Sequence, residues 1–393
     1  MRTLDVIVVG LGAAGAATLY QLARRGVNAV GIDTYSPPHA LGSTHGDTRI
    51  TREAIGEGEY YTPLVRRSHA IWRELESETG ADLLTECGGL IIEASGGGAA
   101  GHHRHDFLSQ TIACATRYGI PHELLGAAEV SIRFPQFRLD GDESAYYEPG
   151  AGFVRPERCV DAELTVAERL GAEVRRGERV LALDSRDGVV LVQTDRAVYE
   201  APRVVLAVGA WIRDFVEPRD RVLFSVYRQV LSWFALQAGA VDHTPGVMPV
   251  FIWGLSDGNA FYGFPAVDGA DNVKVATEQL DHPTTASESS LDVQPSETSA
   301  VYADLIRARM PAVTERCVRA VRCLYTVTPD ADFVVDEHPH IPGVLLVSPC
   351  SGHGFKHSAG LGEALAQLIT TGASDVDLSP FRMDRFTESR AVI

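Results

Sequence analysis

The N-terminal part of the chain alternates between apolar runs and a glycine-rich turn. Asp5 to Val9 is apolar after its first residue and predicts a buried strand. A helix is predicted from about Ala13 to Arg25, ending at Gly26, and Val27 to Ile32 predicts a second strand. The first apolar run passes straight into glycines, so it indicates a strand and not a signal peptide.

The rest of the chain also mixes helical and extended patterns, and no internal repeat is present. Loops are predicted over residues 37–49 and 281–296, which are rich in polar groups, prolines or serines. The predicted helices are 62–78, 152–170, 297–309 and 358–371. The predicted strands are a β-meander over 174–194, buried strands at 204–208 and 344–347, and antiparallel strands within 222–278.

The glycine turn between the first strand and helix has the spacing of a dinucleotide-binding motif. Gly10 permits the turn, Gly12 lets backbone N–H groups approach a pyrophosphate, and Gly15 allows the helix to pack on the strand. Asp33 closes the second strand, where a carboxylate accepts hydrogen bonds from an adenosine ribose. The helix N-terminus adds partial positive charge for the phosphates. The motif therefore predicts dinucleotide binding.

Charge and cysteine usage exclude several classes of function. The formal net charge is −17, which argues against nucleic acid or anionic membranes as partners. The six cysteines form no CxxC pair, and no apolar run is long enough to span a bilayer, so a cytoplasmic protein with reduced thiols is expected. His102, His103 and His105 lie close together, but they lack ligand-spaced acidic or thiol partners, so we predict a solvated loop and no metal.

Lysine is almost absent from this sequence. Lys274 and Lys356 are the two lysines among 35 basic Lys and Arg residues. Lysine is a compact ammonium whose pKa shifts on burial, whereas arginine is a wide, permanently charged fork. The two lysines are either surface residues without a specific role or residues that arginine cannot replace.

Four motifs, in order along essentially the whole chain, resemble those of monomeric sarcosine oxidase and N-methyltryptophan oxidase, a family of flavoprotein amine oxidases. They are Gly42-Ser43-Thr44-His45-Gly46-Asp47-Thr48-Arg49-Ile50, Tyr262-Gly263-Phe264-Pro265, Cys323-Leu324-Tyr325-Thr326 and Ser351-Gly352-His353-Gly354-Phe355-Lys356. The resemblance implies an α/β fold like D-amino acid oxidase, in which a Rossmann-type FAD domain is interleaved with a substrate domain on a mixed, largely antiparallel sheet. We assign residues 1–80, 150–220 and 320–393 to the FAD domain, and 81–149 and 221–319 to the substrate domain.

The resemblance also implies a cofactor and site residues. FAD would be attached covalently through the Cys323 thiol, which, without the resemblance, would be interpreted as a plain core cysteine. Lys274 would promote the reaction with dioxygen, His45 and Arg49 would lie near the flavin ring, and Tyr325 would take part in catalysis. Arg52 and Lys356 would hold the substrate carboxylate, and Tyr262, Trp253 and Glu278 would line the substrate site. The FAD contacts would be Gly10, Gly12, Ala14, Gly15, Asp33, Ser43, Thr48, Val180, Cys323, Gly352, Gly354 and Lys356.

Two positions depart from the sarcosine oxidase pattern. Glu278 stands where that pattern has a histidine, and Trp253 stands where it has a smaller residue. Glu278 would either pair with a cation on the substrate or face solvent. The expected activity is oxidation of a secondary amine, an N-methyl or cyclic amino acid, to an imine by a monomeric enzyme, with dioxygen reduced to hydrogen peroxide. The alternatives are a biosynthetic flavoenzyme that desaturates a cyclic imino acid, and an NAD- or FAD-dependent dehydrogenase that does not use dioxygen.

Overall fold

The computed structural model of the chain describes residues 4–95 and 106–386. Its strands form a six-stranded sheet, a nine-stranded sheet and two three-stranded sheets. In chain order they are β1 (Val6–Val9), β2 (Ala29–Asp33), β3 (Arg49–Thr51), β4 (Leu84–Glu86), β5 (Gly89–Glu93), β6 (Glu123–Gly126), β7 (Ser144–Glu148), β8 (Gly152–Val154), β9 (Glu173–Arg176), β10 (Val180–Arg186), β11 (Val189–Thr194), β12 (Val198–Ala201), β13 (Arg203–Leu206), β14 (Ser225–Leu236), β15 (Val250–Gly254), β16 (Ala260–Phe264), β17 (Asn272–Thr277), β18 (Pro283–Thr284), β19 (Val313–Val327), β20 (Val334–Glu337) and β21 (Val344–Ser348). The helices are α1 (Ala13–Arg24), α2 (Thr62–Thr79), α3 (Phe107–Tyr118), α4 (Ala127–Arg133), α5 (Pro156–Arg169), α6 (Pro295–Val301) and α7 (Ser358–Thr371).

The six-stranded sheet has the order β20-β21-β13-β1-β2-β9 and is parallel except where β20 pairs with β21. Its central strand β1 is buried along its whole length, because a parallel sheet is covered on both faces. Helices α1 and α7 pack closely on each other. A Cβ added at Gly362 would lie 2.5 Å from the Cβ of Ala17, so the absence of a side chain there permits this contact.

The nine-stranded sheet has the order β18-β14-β17-β16-β15-β5-β7-β6, with β19 paired to β14. Only the β5–β15 pair is parallel within it. Alternate residues of β15 face opposite sides: Phe251 and Trp253 belong to an apolar cluster, whereas Ile252 faces a cavity. The mixed, largely antiparallel second sheet confirms the predicted fold class.

Several predicted elements are confirmed and others differ. Helices predicted over 62–78 and 358–371 correspond to α2 and α7. The helix predicted over 152–170 begins later, because Gly152–Val154 forms β8 and Pro156 then starts α5. The helix predicted over 297–309 is α6 followed by a π-helical turn over Tyr302–Ile306.

The predicted meander over 174–194 is also divided. Its first strand, β9, joins the six-stranded sheet parallel to β2, and the antiparallel meander consists of β10, β11 and β12. The division into two domains stays a prediction, and β19 runs through the predicted boundary at residue 320. His102, His103 and His105 lie outside the described residues.

Candidate active site

A cavity of about 890 Å³ is lined by residues of both large sheets. Val9 and Ile32 line it from the six-stranded sheet, and Ile252, Tyr262 and Tyr325 line it from the nine-stranded sheet. It contains many of the residues predicted from the sequence: Gly10, Gly12, Ala14, Asp33, Ser43, Arg49, Arg52, Val180, Tyr262, Glu278, Tyr325, Gly352, Gly354 and Lys356. The cavity is large enough for a dinucleotide-sized ligand together with a small molecule.

The glycine turn after β1 forms one end of the cavity. Asp33 Oδ2 accepts a hydrogen bond from the backbone N–H of Leu11 (2.8 Å), and Oδ1 accepts one from Tyr35 (2.8 Å). These bonds fix the carboxylate at the end of β2, beside the N-terminus of α1. Gly15 does not line the cavity. Its Cβ would lie 1.8 Å from the carbonyl oxygen of Gly10, so this glycine allows α1 to approach the turn, which is its predicted packing role.

The loop from Ser43 to Arg49 is fixed from two sides. Lys274 Nζ donates to the carbonyl oxygens of Gly46 (2.8 Å) and Thr48 (2.6 Å). Glu157 Oε1 accepts from the backbone N–H groups of Gly46 (2.5 Å) and Asp47 (3.2 Å). Thr48 itself does not line the cavity, although a direct contact with the cofactor was predicted. Its backbone carbonyl oxygen accepts the hydrogen bond from Lys274 and so supports the loop.

Lys274 lies just behind the cavity wall. Its Nζ is 3.8 Å from the ring centroid of Phe264, a residue that lines the cavity. Burial, followed by the nearby charge of Arg49, lowers the pKa of Lys274 well below its usual value. The two carbonyl acceptors and the aromatic face favour the ammonium form at this position.

Arg49, His45 and Cys323 lie near one another. Arg49 Nη2 donates to the carbonyl oxygen of Ser43 (2.7 Å) and lies 3.5 Å from Cys323 Sγ. Burial raises the pKa of the Cys323 thiol, although Arg49 acts in the opposite direction. The nearby cations therefore do not overcome the effect of burial on the pKa of this thiol. Burial and then the charges of Arg49, Arg322 and Lys274 lower the pKa of His45 to about 3, so its imidazole is neutral.

Arg52 and Lys356 converge on one carboxylate. Arg52 Nη2 donates to Glu57 Oε2 (2.6 Å), and Lys356 Nζ donates to Glu57 Oε1 (3.2 Å) and to the carbonyl oxygen of His353 (2.9 Å). All three charged residues are buried and line the cavity. Burial lowers the pKa of Lys356 to about 8, although the Glu57 charge opposes this shift.

Two tyrosines and an acidic residue line the cavity from the side of the nine-stranded sheet. The Tyr262 and Tyr325 hydroxyls are 3.1 Å apart. Burial raises the pKa of Tyr262 to about 12 and that of Tyr325 well above its usual value, so both phenols are neutral. Glu278 also lines the cavity, and its charge is among the causes that raise both tyrosine pKa values.

Trp253 is a correction to the sequence analysis. It is buried, stacks on Phe261 at 5.6 Å between centroids and lies in the apolar cluster behind β15. It does not line the cavity because its side chain leaves β15 on the opposite face. The neighbouring Ile252 takes the wall position predicted for Trp253.

Four residues of this site were missed by reasoning from the sequence: Glu57, Glu157, Phe264 and Arg322. A signal for Glu57 was available, since it stands between two glycines five residues after Arg52. Glu157 comes from a distant helix, and no pattern in the sequence connects it with Gly46. The described residues contain no group of three or more His, Cys, Asp or Glu side chains arranged to hold a metal. Among them there is also no helix that is long and apolar enough to cross a membrane.

Comparisons with known proteins agree with this geometry. A family model described as FAD dependent oxidoreductase matches residues 5–368. The chain is 36% identical to monomeric sarcosine oxidase from Streptomyces avermitilis over 95% of each chain. It is 32% identical to N-methyl-L-tryptophan oxidase from Yersinia pestis, over 97% of this chain and 99% of the relative.

A solved structure shows the same architecture. NikD, described as an unusual amino acid oxidase essential for nikkomycin biosynthesis, matches with a TM-score of 0.82 and 26% identity, covering 97% of this chain and 98% of that chain. Both the predicted resemblance and FAD as the cofactor are confirmed. The chain belongs to the FAD-dependent oxidoreductase family, in the group of flavoprotein amine oxidases that includes monomeric sarcosine oxidase and N-methyl-L-tryptophan oxidase.

Proposed function

We propose that this enzyme oxidises a secondary amine that carries a carboxylate, and that a second cationic group on the substrate is favoured. The observation that carries the proposal is the convergence of Arg52 and Lys356 on Glu57 inside the cavity. The reaction converts R₂CH–NHR′ and O₂ to R₂C=NR′ and H₂O₂, and water then hydrolyses the imine.

The cavity fits FAD. The turn at Gly10 and Gly12, the N-terminus of α1 and Asp33 provide a cradle for a dinucleotide. A further turn, at Gly352 and Gly354 between β21 and α7, lines the same cavity. When bound, FAD supplies the two-electron oxidation of the amine and the transfer of electrons to dioxygen.

Arg52 and Lys356 provide the binding site for the substrate carboxylate. Glu57 neutralises one of their two charges, so one positive charge remains. A substrate carboxylate completes the charge balance and can accept charge-assisted hydrogen bonds from the guanidinium and the ammonium. This arrangement selects an amino acid over a simple amine.

The two tyrosines provide neutral polar groups beside the bound amine. Because both phenols stay protonated, their hydroxyls can donate or accept one hydrogen bond each without adding charge. Neutral hydroxyls add no negative charge that would hold the amine in its protonated form, and the unprotonated amine is the form whose α C–H bond can be oxidised. We assign Tyr325 to this role, with Tyr262 orienting its hydroxyl.

Lys274 is assigned to the reaction with dioxygen. Its ammonium is held by two carbonyl groups behind Phe264, so it is fixed before the reaction begins. A preorganised cation stabilises the negative charge that develops as dioxygen accepts electrons.

Cys323 is proposed as the covalent attachment point for FAD. Its sulfur is buried 3.5 Å from Arg49 Nη2, on the strand face that also carries Tyr325. The test is Cys323→Ser followed by acid precipitation. Flavin should precipitate with the wild-type polypeptide and stay in the supernatant of the variant. Cys350→Ser is the matched control, because Cys350 also packs against this cluster but should keep the flavin attached.

The main experiment measures peroxide release with pairs of substrates. An N-methyl or cyclic amino acid is compared with the amine that lacks only the carboxylate, and the carboxylated member should be preferred by about 2–4 kcal/mol in kcat/KM. Equal activity on both members of every pair would contradict the role of Arg52 and Lys356.

Glu278 supports the preference for a second cation, because it places a carboxylate on the cavity wall. Glu278→Gln should lower kcat/KM for basic amino acids and leave neutral N-methyl amino acids nearly unchanged. If basic and neutral substrates lose activity equally, Glu278 has a general structural role instead.

A second candidate function is desaturation of a cyclic imino acid in biosynthesis; the similarity to NikD, an amino acid oxidase essential for nikkomycin biosynthesis, supports a biosynthetic role. Mass spectrometry of the product, together with the number of peroxide molecules released per substrate molecule, separates the two. One peroxide and a hydrolysable imine indicate simple amine oxidation, whereas two peroxides and an aromatic ring indicate desaturation.

We also propose that the enzyme is a cytoplasmic monomer. None of the six cysteines forms a disulfide, which suits a reducing compartment, and the relatives named above include an enzyme named as monomeric. Light scattering of the purified protein tests the oligomeric state.

A further inference from the structure

The loop before β3 makes a tight turn at Asp47. The backbone N–H of Thr48 donates to the carbonyl oxygen of Gly46 (2.8 Å), and Asp47 between them has a φ of 68°. A hydrogen bond across three residues with a left-handed central residue is the rare, strained form of the γ-turn. Such strain persists only where the surroundings fix it, and it clusters at functional sites. The contacts of this turn therefore indicate what Asp47 does.

The turn brings two carbonyl oxygens to one ammonium group. Lys274 Nζ donates to the carbonyl oxygens of Gly46 (2.8 Å) and Thr48 (2.6 Å). In an extended strand, residues two positions apart face the same side but are separated by about 6.6 Å. A single Nζ cannot bridge that separation at the two observed distances. The double acceptor for Lys274 therefore depends on the left-handed conformation of Asp47.

Contacts to the main chain and to the side chain hold Asp47 in this conformation. Glu157 Oε1 accepts a hydrogen bond from its backbone N–H (3.2 Å), and Arg319 Nη1 donates to its Oδ2 (2.7 Å). Aspartate also tolerates the left-handed region better than most residues. The side chains of Arg319 and Asp47 are 48% and 39% exposed, so their ion pair contributes little and the backbone conformation is the larger factor.

Aromatic rings confine Lys274 on its other sides. Trp233 pairs with Lys274 between β14 and β17, and Phe264 pairs with it between β16 and β17. The Lys274 Nζ is 5.7 Å from the Trp233 ring centroid and 3.8 Å from that of Phe264. Ring faces attract an ammonium without strict direction, whereas hydrogen bonds to carbonyl groups are directional. The two carbonyl groups of the turn therefore set the direction of the Lys274 ammonium.

We propose that Asp47 is a positioning residue for the reaction with dioxygen, because its turn fixes the Lys274 ammonium at the cavity wall. The inference rests on the role proposed above for Lys274. A cation stabilises developing negative charge most effectively when it is already in place before the reaction. Loss of the turn should therefore slow reoxidation by dioxygen and leave the oxidation of the amine unchanged.

The kinetic test compares Asp47→Val with Asp47→Gly in the full-length holoenzyme. Both changes remove the carboxylate, but a β-branched residue strongly disfavours positive φ, whereas glycine adopts it readily. In stopped-flow measurements, Asp47→Val should slow reoxidation at least tenfold and change reduction by less than twofold. Asp47→Gly should change reoxidation by less than threefold. Arg319→Met is the matched control, because it removes the ion pair and keeps the turn residue, and it should behave like Asp47→Gly.

A second readout needs neither flavin nor turnover. The chain has two lysines, so protein labelled with ¹³C at lysine Cε should give two NMR resonances, and Lys274→Met assigns them. Asp47→Val should shift the Lys274 resonance and leave that of Lys356 in place, and Asp47→Gly should leave both in place. Asp47→Ala, which disfavours positive φ less strongly, takes the place of Asp47→Val in both tests if the valine variant does not fold.

A double-mutant cycle separates positioning from a general structural role. If Asp47 acts through Lys274, Asp47→Val should slow reoxidation less than twofold further in the Lys274→Met background. Additive effects in this cycle, or equal effects of Asp47→Val and Asp47→Gly, would overturn the proposal. If Lys274→Met alone slows reoxidation selectively while the cycle is additive, only the role of Asp47 is wrong. If Lys274→Met does not slow reoxidation, the roles of both residues are wrong.

Discussion

Lys274 and Lys356 are the two lysines of the sequence, and both are buried beside the same cavity. Neither is therefore a surface residue without a specific role. At each position the ammonium donates to a backbone carbonyl, and at Lys274 it also lies over an aromatic ring. A compact ammonium with donors in several directions suits these positions, whereas the longer planar guanidinium would need more space.

Lys274→Met should slow the reaction with dioxygen far more than the reaction with the amine. The change removes one preorganised charge, which we expect to cost about 3 kcal/mol, on the order of a hundredfold in rate. Stopped-flow spectroscopy measures the two half-reactions separately. Equal slowing of both would show that Lys274 supports the loop rather than the oxygen reaction.

The affinity for a simple carboxylate should fall as the pH rises above about 8. Lys356 has a pKa of about 8, below its usual value, so it is charged below that pH and loses its proton above it. A guanidinium does not lose its proton in proteins, so Lys356 is the member of the pair that titrates. The dissociation constant of acetate, which does not titrate in this range, should be constant below pH 8 and rise by at most tenfold per pH unit above it. Lys356→Met should bind acetate weakly with no such dependence, and a dependence that persists in this variant would place the titration elsewhere.

At the scale of single elements, helices were easier to predict than the strands that carry the chemistry. The helices α2 and α7 follow from long periodic patterns, and Gly372 ends α7 in the left-handed conformation. No strand was predicted over β19, although it holds Arg322, Cys323 and Tyr325. Its first half is half-exposed and arginine-rich and its second half is buried, so no single periodicity covers its 15 residues.

The loop that precedes β3 depends on a helix that is distant in sequence. Glu157, in the first turn of α5, accepts two backbone hydrogen bonds from this loop, and Lys274 is bonded to the other side of it. Glu157→Ala should therefore destabilise the protein by about 1–3 kcal/mol and slow reoxidation more than reduction. Urea unfolding followed by flavin fluorescence and stopped-flow kinetics check both effects. Glu168→Ala on the same helix is the control, and a similar effect there would mean that α5 as a whole is responsible.

At the scale of the whole molecule, the pattern of the sequence predicted the part of the fold that binds a dinucleotide. The substrate-binding part was predicted only by the resemblance. The βαβ unit with Gly10 and Asp33 can be recognised from spacing alone, because local geometry requires those residues. The substrate half combines β5 with β15, which are about 160 residues apart in the chain, and no local rule pairs such strands. Trp253 shows the same limit, because assigning it to the cavity required knowing which face of β15 looks inward.

The net charge of −17 leads to a prediction about the substrate. A strongly negative molecule attracts cations at long range, and salt shortens that range from about 30 Å at 0.01 M to about 3 Å at 1 M. If the preferred substrate carries a net positive charge, as Glu278 in the cavity suggests, its kcat/KM should fall by up to about tenfold over that range of salt. A zwitterionic N-methyl amino acid of similar size, measured in parallel, should change little because it has no net charge. An equal response of both substrates would indicate that salt acts on the enzyme itself, and it would remove the electrostatic argument for a basic substrate.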